Sequence, residues 1–160
     1  GFAGEMGHIS IDFNGRLCNC GNKGCLEAYV SATGIKNTIQ KFLEKDPRNT
    51  LLQTLCKDNI DGFLLDKSYD QGNETAIKIY HYTGEKLGQG LALVANLLSP
   101  EAFIFYGGFS NAGERIFASA IESMKHNLIN SSGKDIKLTQ SGLPQGQAGI
   151  LGAASLIWTK

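Results

Sequence analysis

The sequence has no surplus of either charge, few cysteines and no long apolar run. Fifteen basic and fifteen acidic residues cancel to zero net charge, whereas a surface that binds nucleic acid normally carries a basic excess. No apolar run approaches 18 residues and no signal-peptide pattern is present, so we expect a cytoplasmic protein that does not enter a membrane. Four cysteines in 160 residues are too few for a disulfide scaffold.

One histidine and three of the four cysteines nevertheless lie at metal-ligand spacing. One residue separates Cys18 from Cys20, four separate Cys20 from Cys25, and His8 precedes Cys18 by ten positions. Thiolates with an imidazole select tetrahedral Zn²⁺, and a closed set of three cysteines and one histidine leaves no position for water or substrate. We therefore predict a structural zinc on His8, Cys18, Cys20 and Cys25. Disulfide pairing in a secreted chain is the alternative.

Two carboxylates lie just outside this cluster. Glu5 precedes His8 by three positions, and Glu27 follows Cys25 by two. If zinc fixes His8 and Cys25, both carboxylates are held near the same point. The zinc is therefore expected to shape the surroundings of Glu5 and Glu27. For an isolated glutamate, the alternative is a solvated surface charge.

Residues 3–8 and 18–31 together resemble the signature of the ROK family, which holds bacterial sugar kinases and sugar-responsive transcriptional repressors. The resemblance continues through residues 99–108 and 147–154. It implies an α/β fold, the C-terminal lobe of an actin/hexokinase-like (ribonuclease H-like) sugar kinase with a zinc knuckle, over residues 1–160. We call residues 18–25 the knuckle.

The resemblance also implies a function, that of an ATP-dependent hexose kinase most like glucokinase. In ROK kinases the matching glutamates and histidine contact the pyranose, which makes Glu5, His8 and Glu27 the expected sugar-binding residues. The histidine also binds zinc there, and an imidazole has a second nitrogen that can face a sugar hydroxyl. The protein is expected to be a homo-oligomer, as is usual in the family.

A nucleotide site is predicted after the apolar run at residues 102–106. Gly107 and Gly108 allow close approach of backbone to a ligand, and a helix expected from Ala112 presents free N–H groups with a favourable dipole. The resemblance implies that this segment helps to hold ATP, which is used with Mg²⁺, and that Gly113 lies nearby. A tight turn leading into a helix is the alternative.

The chain resembles a C-terminal part, so the family's phosphate-binding turn and catalytic base are expected on a preceding lobe. No catalytic residue is assigned in this chain, because its aspartates match no catalytic motif of the family. The aspartates considered are Asp12, Asp61, Asp66 and Asp135. The chain alone is therefore expected to be inactive. A sugar-responsive ROK regulator is the alternative function, with its DNA-binding helices also on a preceding segment. Residues 31–35 look more like the kinase branch. A third interpretation, a zinc-stapled domain without a ligand, is disfavoured because Glu5, His8 and Glu27 occur together.

Hydrophobic periodicity predicts strands and helices in alternation. Ile9, Ile11 and Phe13 predict a half-buried strand that carries Glu5 and His8 at its leading end. Further strands are predicted at residues 102–106 and 136–139, a polar separator at 66–72, and helices at 26–30, 35–45, 51–56, 73–98, 112–128 and 146–158. The three glycines within residues 73–98 indicate close packing, against another helix or against a ligand. A break in the helix near residue 83 is the alternative.

Overall fold

A computed structural model of the chain describes residues 4–57, 62–107, 112–129, 135–144 and 146–157. Within these ranges no helix is long and apolar enough to cross a membrane. The described elements are a 3₁₀ turn at Met6–His8, then α1 Glu27–Val30, α2 Ala32–Lys45, α3 Thr50–Lys57, α4 Gly62–Asp70, α5 Glu74–Leu98, β1 Ala102–Phe105, α6 Glu114–Asn127, β2 Lys137–Gln140 and α7 Ala148–Ser155.

The two strands form a parallel pair joined by a helical crossover. Ala102 lies opposite Lys137 and Phe105 opposite Gln140, with α6 as the connection between the strands. Parallel strands require such a crossover, and the helix covers one face of the sheet. The ring of Phe105 accordingly packs 5.1 Å from that of Phe117 on α6. The predicted α/β class is confirmed.

Helix α5 begins and ends at residues suited to those positions. The Asn73 side chain accepts hydrogen bonds from the N–H groups of Thr75 and Ala76 at 3.0 and 3.2 Å. Such a side chain satisfies donors that the first turn leaves unpaired. Ser99 ends the helix in a left-handed conformation with φ of 53°. The predicted long helix is therefore confirmed, and it continues without a break through residue 83.

The three glycines of α5 are sites of close approach to other helices. A Cβ added to Gly88 would lie 2.3 Å from the carbonyl oxygen of Ala120, and Gly84 meets the same helix one turn earlier. A Cβ on Gly90 would lie 2.5 Å from Leu26 Cδ2. The prediction of close packing against another helix is therefore confirmed, and the alternative of a break near residue 83 is wrong. They let α5 contact α6 on one side and the residue that precedes α1 on another.

The core is built mainly from α5 and the helices around it. Its largest fully buried apolar side chains come from five helices: Ile39, Leu52, Leu65, Ile79, Leu91, Ile116 and Met124. The apolar period within residues 73–98 predicts one buried face. It consists of Ile77, Tyr80, Leu87, Leu91, Val94 and Leu98. This prediction is only partly right, because Ile77 and Leu98 are exposed while Ala76 and Gly84 are buried. Large apolar residues dominate a periodicity count, whereas small residues form the closest helix contacts.

Two local predictions are wrong. Residues 9–13 do not form a strand; they make a loop in which Ser10 forms an isolated antiparallel bridge with Cys25. Phe13 is 85% exposed, so its place in the alternating pattern does not reflect burial. Residues 66–72 are not a polar separator, because α4 extends to Asp70.

Candidate metal and sugar site

The knuckle is a tight turn closed by its own backbone. The Cys18 N–H donates to the Asn22 carbonyl at 2.8 Å, and the Gly21 N–H donates to the Cys18 carbonyl at 2.9 Å. Gly21 and Gly24 have φ of 91° and 71°, the left-handed region that glycine adopts without steric cost. These turns bring the side chains of Cys18, Cys20 and Cys25 close together.

The predicted ligand residues come together. One ligand atom from each of His8, Cys18, Cys20 and Cys25 lies within 4.8 Å of all the others. Cys20 Sγ and Cys25 Sγ are 3.6 Å apart, and Cys18 Sγ is 3.7 Å from His8 Nδ1. A tetrahedral zinc with ordinary Zn–S and Zn–N bonds separates its ligand atoms by about 3.6–3.8 Å. The donor types suit zinc, and these two distances match those of a tetrahedral site.

The three thiols differ in how readily they lose a proton when no metal is bound. Burial raises the pKa of the Cys25 thiol to about 12, and the adjacent Cys20 and Cys18 add to the rise. The pKa of Cys20 is instead lowered, mainly by a hydrogen bond from the Asn22 backbone. A metal ion reverses the effect of burial, since a coordinating thiol is deprotonated outright. Three crowded thiols are therefore chemically suited to a metal centre.

His8 connects the cysteine cluster to a carboxylate. Its Nδ1 faces Cys18 Sγ, while its Nε2 lies 3.7 Å from Glu27 Oε2. The two side chains are 37% and 44% exposed, so a ligand from solvent can reach both. Glu27 is the first residue of α1, and the exposed Glu5 begins the turn that carries His8. The structure thus joins His8 and Glu27 to the cluster and places Glu5 on the adjoining turn.

The predicted nucleotide residues flank a segment that is only partly described. Gly107 directly follows β1 with φ of 101°, and Gly113 precedes α6 with φ of 49°. Gly108 lies outside the described residues. Helix α6 begins at Glu114 rather than Ala112. Gly107 therefore lies at the carboxyl end of a strand and Gly113 at the start of a helix, both with positive φ.

Two arginines near these sites carried no sequence signal. Arg16, two residues before Cys18, donates hydrogen bonds to α1 and α2. Arg115, in the first turn of α6, makes a two-point contact with Asp70 of α4 at 2.9 and 2.6 Å. The guanidinium holds the pKa of the Asp70 carboxyl below its usual range. Neither partner is near in sequence, so no local pattern could have indicated these contacts.

The ROK family model matches residues 1–160. The glucokinase of Thermotoga maritima is 33% identical over 98% of this chain and 50% of its own length. The xylose repressor of Bacillus subtilis is 29% identical over 98% of this chain and 37% of its own length. The crystal structure of a ROK family glucokinase from Streptomyces griseus, in complex with glucose and AMPPNP, matches with a TM-score of 0.80 and 32% identity, over 96% of this chain and 51% of that one.

This chain belongs to the ROK family, as the signature at residues 3–8 and 18–31 predicted. Its α/β structure shares the actin-like fold of the ROK sugar kinases. The chain spans about half the length of the glucokinases it matches. Its relatives include both kinases and repressors, so the family by itself does not distinguish these two functions.

Proposed function

We propose that this chain is the C-terminal lobe of an ATP-dependent hexose kinase, most like glucokinase, with a structural zinc that shapes the sugar site. The observation that carries the proposal is the position of His8, which faces the cysteine cluster with Nδ1 and Glu27 with Nε2. The Streptomyces griseus glucokinase, 32% identical, was crystallised with glucose and AMPPNP, which supports a sugar and ATP as ligands.

In this proposal His8, Cys18, Cys20 and Cys25 hold the zinc. A closed set of four ligands leaves the metal without an open position, so it supplies rigidity rather than a reactive water. Holding Cys25 fixes the start of α1 two residues later, where Glu27 lies. Holding His8 fixes the imidazole whose second nitrogen faces that carboxylate.

The sugar is proposed to lie against Glu5, His8 and Glu27. Carboxylate oxygens accept hydrogen bonds from hydroxyls, and each can bridge neighbouring hydroxyls of a ring. The backbone at Gly107, Gly108 and Gly113 is proposed to hold ATP, which is used with Mg²⁺. No residue of this chain is assigned as the base that accepts the hydroxyl proton.

A sugar-responsive transcriptional regulator is the second candidate. The specific observation in its favour is the xylose repressor of Bacillus subtilis, which is similar over 98% of this chain. The same site would then bind a sugar as an effector, and contacts with DNA would be made outside this chain. Both candidates are proposed to be cytoplasmic, because thiolate zinc ligands persist in a reducing compartment. Both are also proposed to be homo-oligomers, as is usual in the family.

The test is an ATP-consumption assay on the full-length protein with glucose, N-acetylglucosamine, mannose and fructose, with zinc content measured on the same sample. Turnover with one of these sugars would support the kinase. Binding of a sugar without turnover, in a protein that holds zinc, would support the regulator instead.

A pair of cysteine variants tests the role of the metal. Cys20→Ser is expected to lose zinc and to weaken sugar binding, because Cys20 belongs to the cluster. Cys56→Ser is the matched control, since Cys56 is a half-buried residue of α3 outside the cluster. Sugar affinity that stays unchanged when Cys20→Ser removes the zinc would contradict the shaping role.

A further inference from the structure

We propose that Arg16 is a positioning residue that sets the direction of helix α1 and thereby of the Glu27 carboxylate. The inference rests on the proposed function, because it assigns Arg16 to the same sugar site. Arg16 lies in the loop that leads into the knuckle, two residues before Cys18, and is half-buried. Its side chain leaves this loop and reaches the two helices that follow the knuckle.

The guanidinium of Arg16 makes three hydrogen bonds to these helices. Its Nη1 donates to the Ala28 carbonyl at 3.1 Å and to the Gly34 carbonyl at 2.9 Å. Its Nη2 donates to Thr38 Oγ1 at 2.9 Å. Several N–H groups in one rigid plane are a property of arginine, and lysine cannot reproduce their fixed directions. One side chain therefore connects the knuckle loop to both α1 and α2.

The backbone of Arg16 is fixed as well. Its N–H donates to the Tyr29 hydroxyl at 3.0 Å, and its carbonyl accepts from the Gly24 N–H at 2.7 Å. The guanidinium carbon also lies 4.7 Å from the centre of the Tyr29 ring, within the range of a cation–π contact. Tyr29 is 3% exposed. Arg16 thus holds α1 by a carbonyl, a ring and a hydroxyl, while the same residue is tied to the knuckle.

These contacts bear on Glu27 because α1 is only four residues long. A helix of one turn is not stable by itself, and its carbonyls need partners from outside the helix. Arg16 supplies such a partner to Ala28, the residue directly after Glu27. The direction of the Glu27 side chain is therefore set by Arg16 on one side and by the ligand Cys25 on the other.

The test uses the full-length protein loaded with zinc, in the variants Arg16→Ala and Arg16→Lys. Lys86→Gln is the matched control. The Lys86 ammonium lies 5.6 Å from the centre of the same Tyr29 ring, but its hydrogen bond goes to Gln89 and not to α1. Three quantities are measured: zinc content, hydrogen exchange of the amides of residues 26–31, and the dissociation constants of glucose and the other hexoses.

Both Arg16 variants are expected to retain zinc, to exchange the α1 amides faster and to bind the sugar about tenfold or more weakly, because a charge-assisted hydrogen bond is lost at α1. Arg16→Lys should recover only part of the affinity, and Lys86→Gln should match the wild type. If Arg16→Ala does not fold, Thr38→Val removes one acceptor of the guanidinium and should show a smaller change in the same direction.

Three results would overturn the proposal. Unchanged α1 exchange would show that Arg16 does not hold the helix. Faster exchange with unchanged sugar affinity would show that the helix is held but that Glu27 is not positioned by it. Loss of zinc in Arg16→Lys would assign Arg16 to the knuckle itself. A wild-type protein that binds none of the sugars would contradict the proposed function, and the exchange measurement would still decide whether Arg16 holds α1.

Discussion

Replacing Gly24 by alanine tests whether the backbone of the knuckle determines metal binding. Gly24 has φ of 71°, and a Cβ there would lie 1.7 Å from the Asp12 carbonyl oxygen and 2.5 Å from its carbon. Gly21 is the matched control, because it has φ of 91° but no heavy atom within 4 Å of an added Cβ. Both variants therefore carry conformational strain, and only one carries a clash with backbone.

The expected magnitudes follow from these two terms. A left-handed alanine costs about 1–2 kcal/mol, which corresponds to a loss of roughly 5- to 30-fold in affinity for Gly21→Ala. Overpacking costs about 1–3 kcal/mol more even where side chains can move, and the Asp12 carbonyl is part of the backbone. Since folding of a small metal site and binding of its metal are coupled, Gly24→Ala should weaken zinc binding by about 30-fold to several thousand-fold.

The assay is competition with a zinc chelator on the full-length protein, together with circular dichroism to verify the fold. Gly24→Ala should release zinc at a clearly lower chelator concentration than Gly21→Ala. Equal zinc affinities in the two variants would refute the argument, because the contact with Asp12 would then have no effect on the metal site.

Three further predictions concern the sugar site, the core and the response to pH. Glu27→Gln should weaken hexose binding, measured by calorimetry, and leave the zinc content unchanged, measured by metal analysis. Loss of both would make Glu27 structural. Gly88→Ala should lower the melting temperature, because overpacking of about 1–3 kcal/mol exceeds the roughly 1 kcal/mol gained in helix propensity, whereas Gly149→Ala, with open space around it, should not. Arg115 lowers the pKa of Asp70, so the stability that this pair contributes is fully present above the ordinary aspartate pKa. It is lost as pH falls through the lowered pKa. When the pH is reduced below about 4, the free energy of unfolding should therefore fall less in Asp70→Asn than in the wild type.

The features predicted correctly from the sequence are those that depend on neighbouring residues. Ligand spacing in the knuckle, the helical period of residues 73–98 with Asn73 before it, and the apolar strand before Gly107 all act over a few positions. The family signature is likewise a set of short segments, and the family match confirms it. The roles of the predicted site residues in binding zinc, sugar and ATP stay predictions.

The features that were missed depend on contacts between distant segments. The alternation around Phe13 satisfied the strand pattern, but the loop instead pairs across the knuckle and leaves this ring exposed. Helix α4 was missed because its charged residues suggested a polar separator, whereas Asp70 faces Arg115 across 45 positions of sequence.

The sequence alone determined the family, the α/β class and the set of residues able to bind a metal. Only the tertiary structure decided that His8 turns one nitrogen to the cysteines and the other to Glu27, and that Arg16 holds the helix carrying Glu27. The physical reason is that ligand type and period are local properties of the chain. The direction of a side chain, in contrast, is set by the packing of segments brought together only on folding.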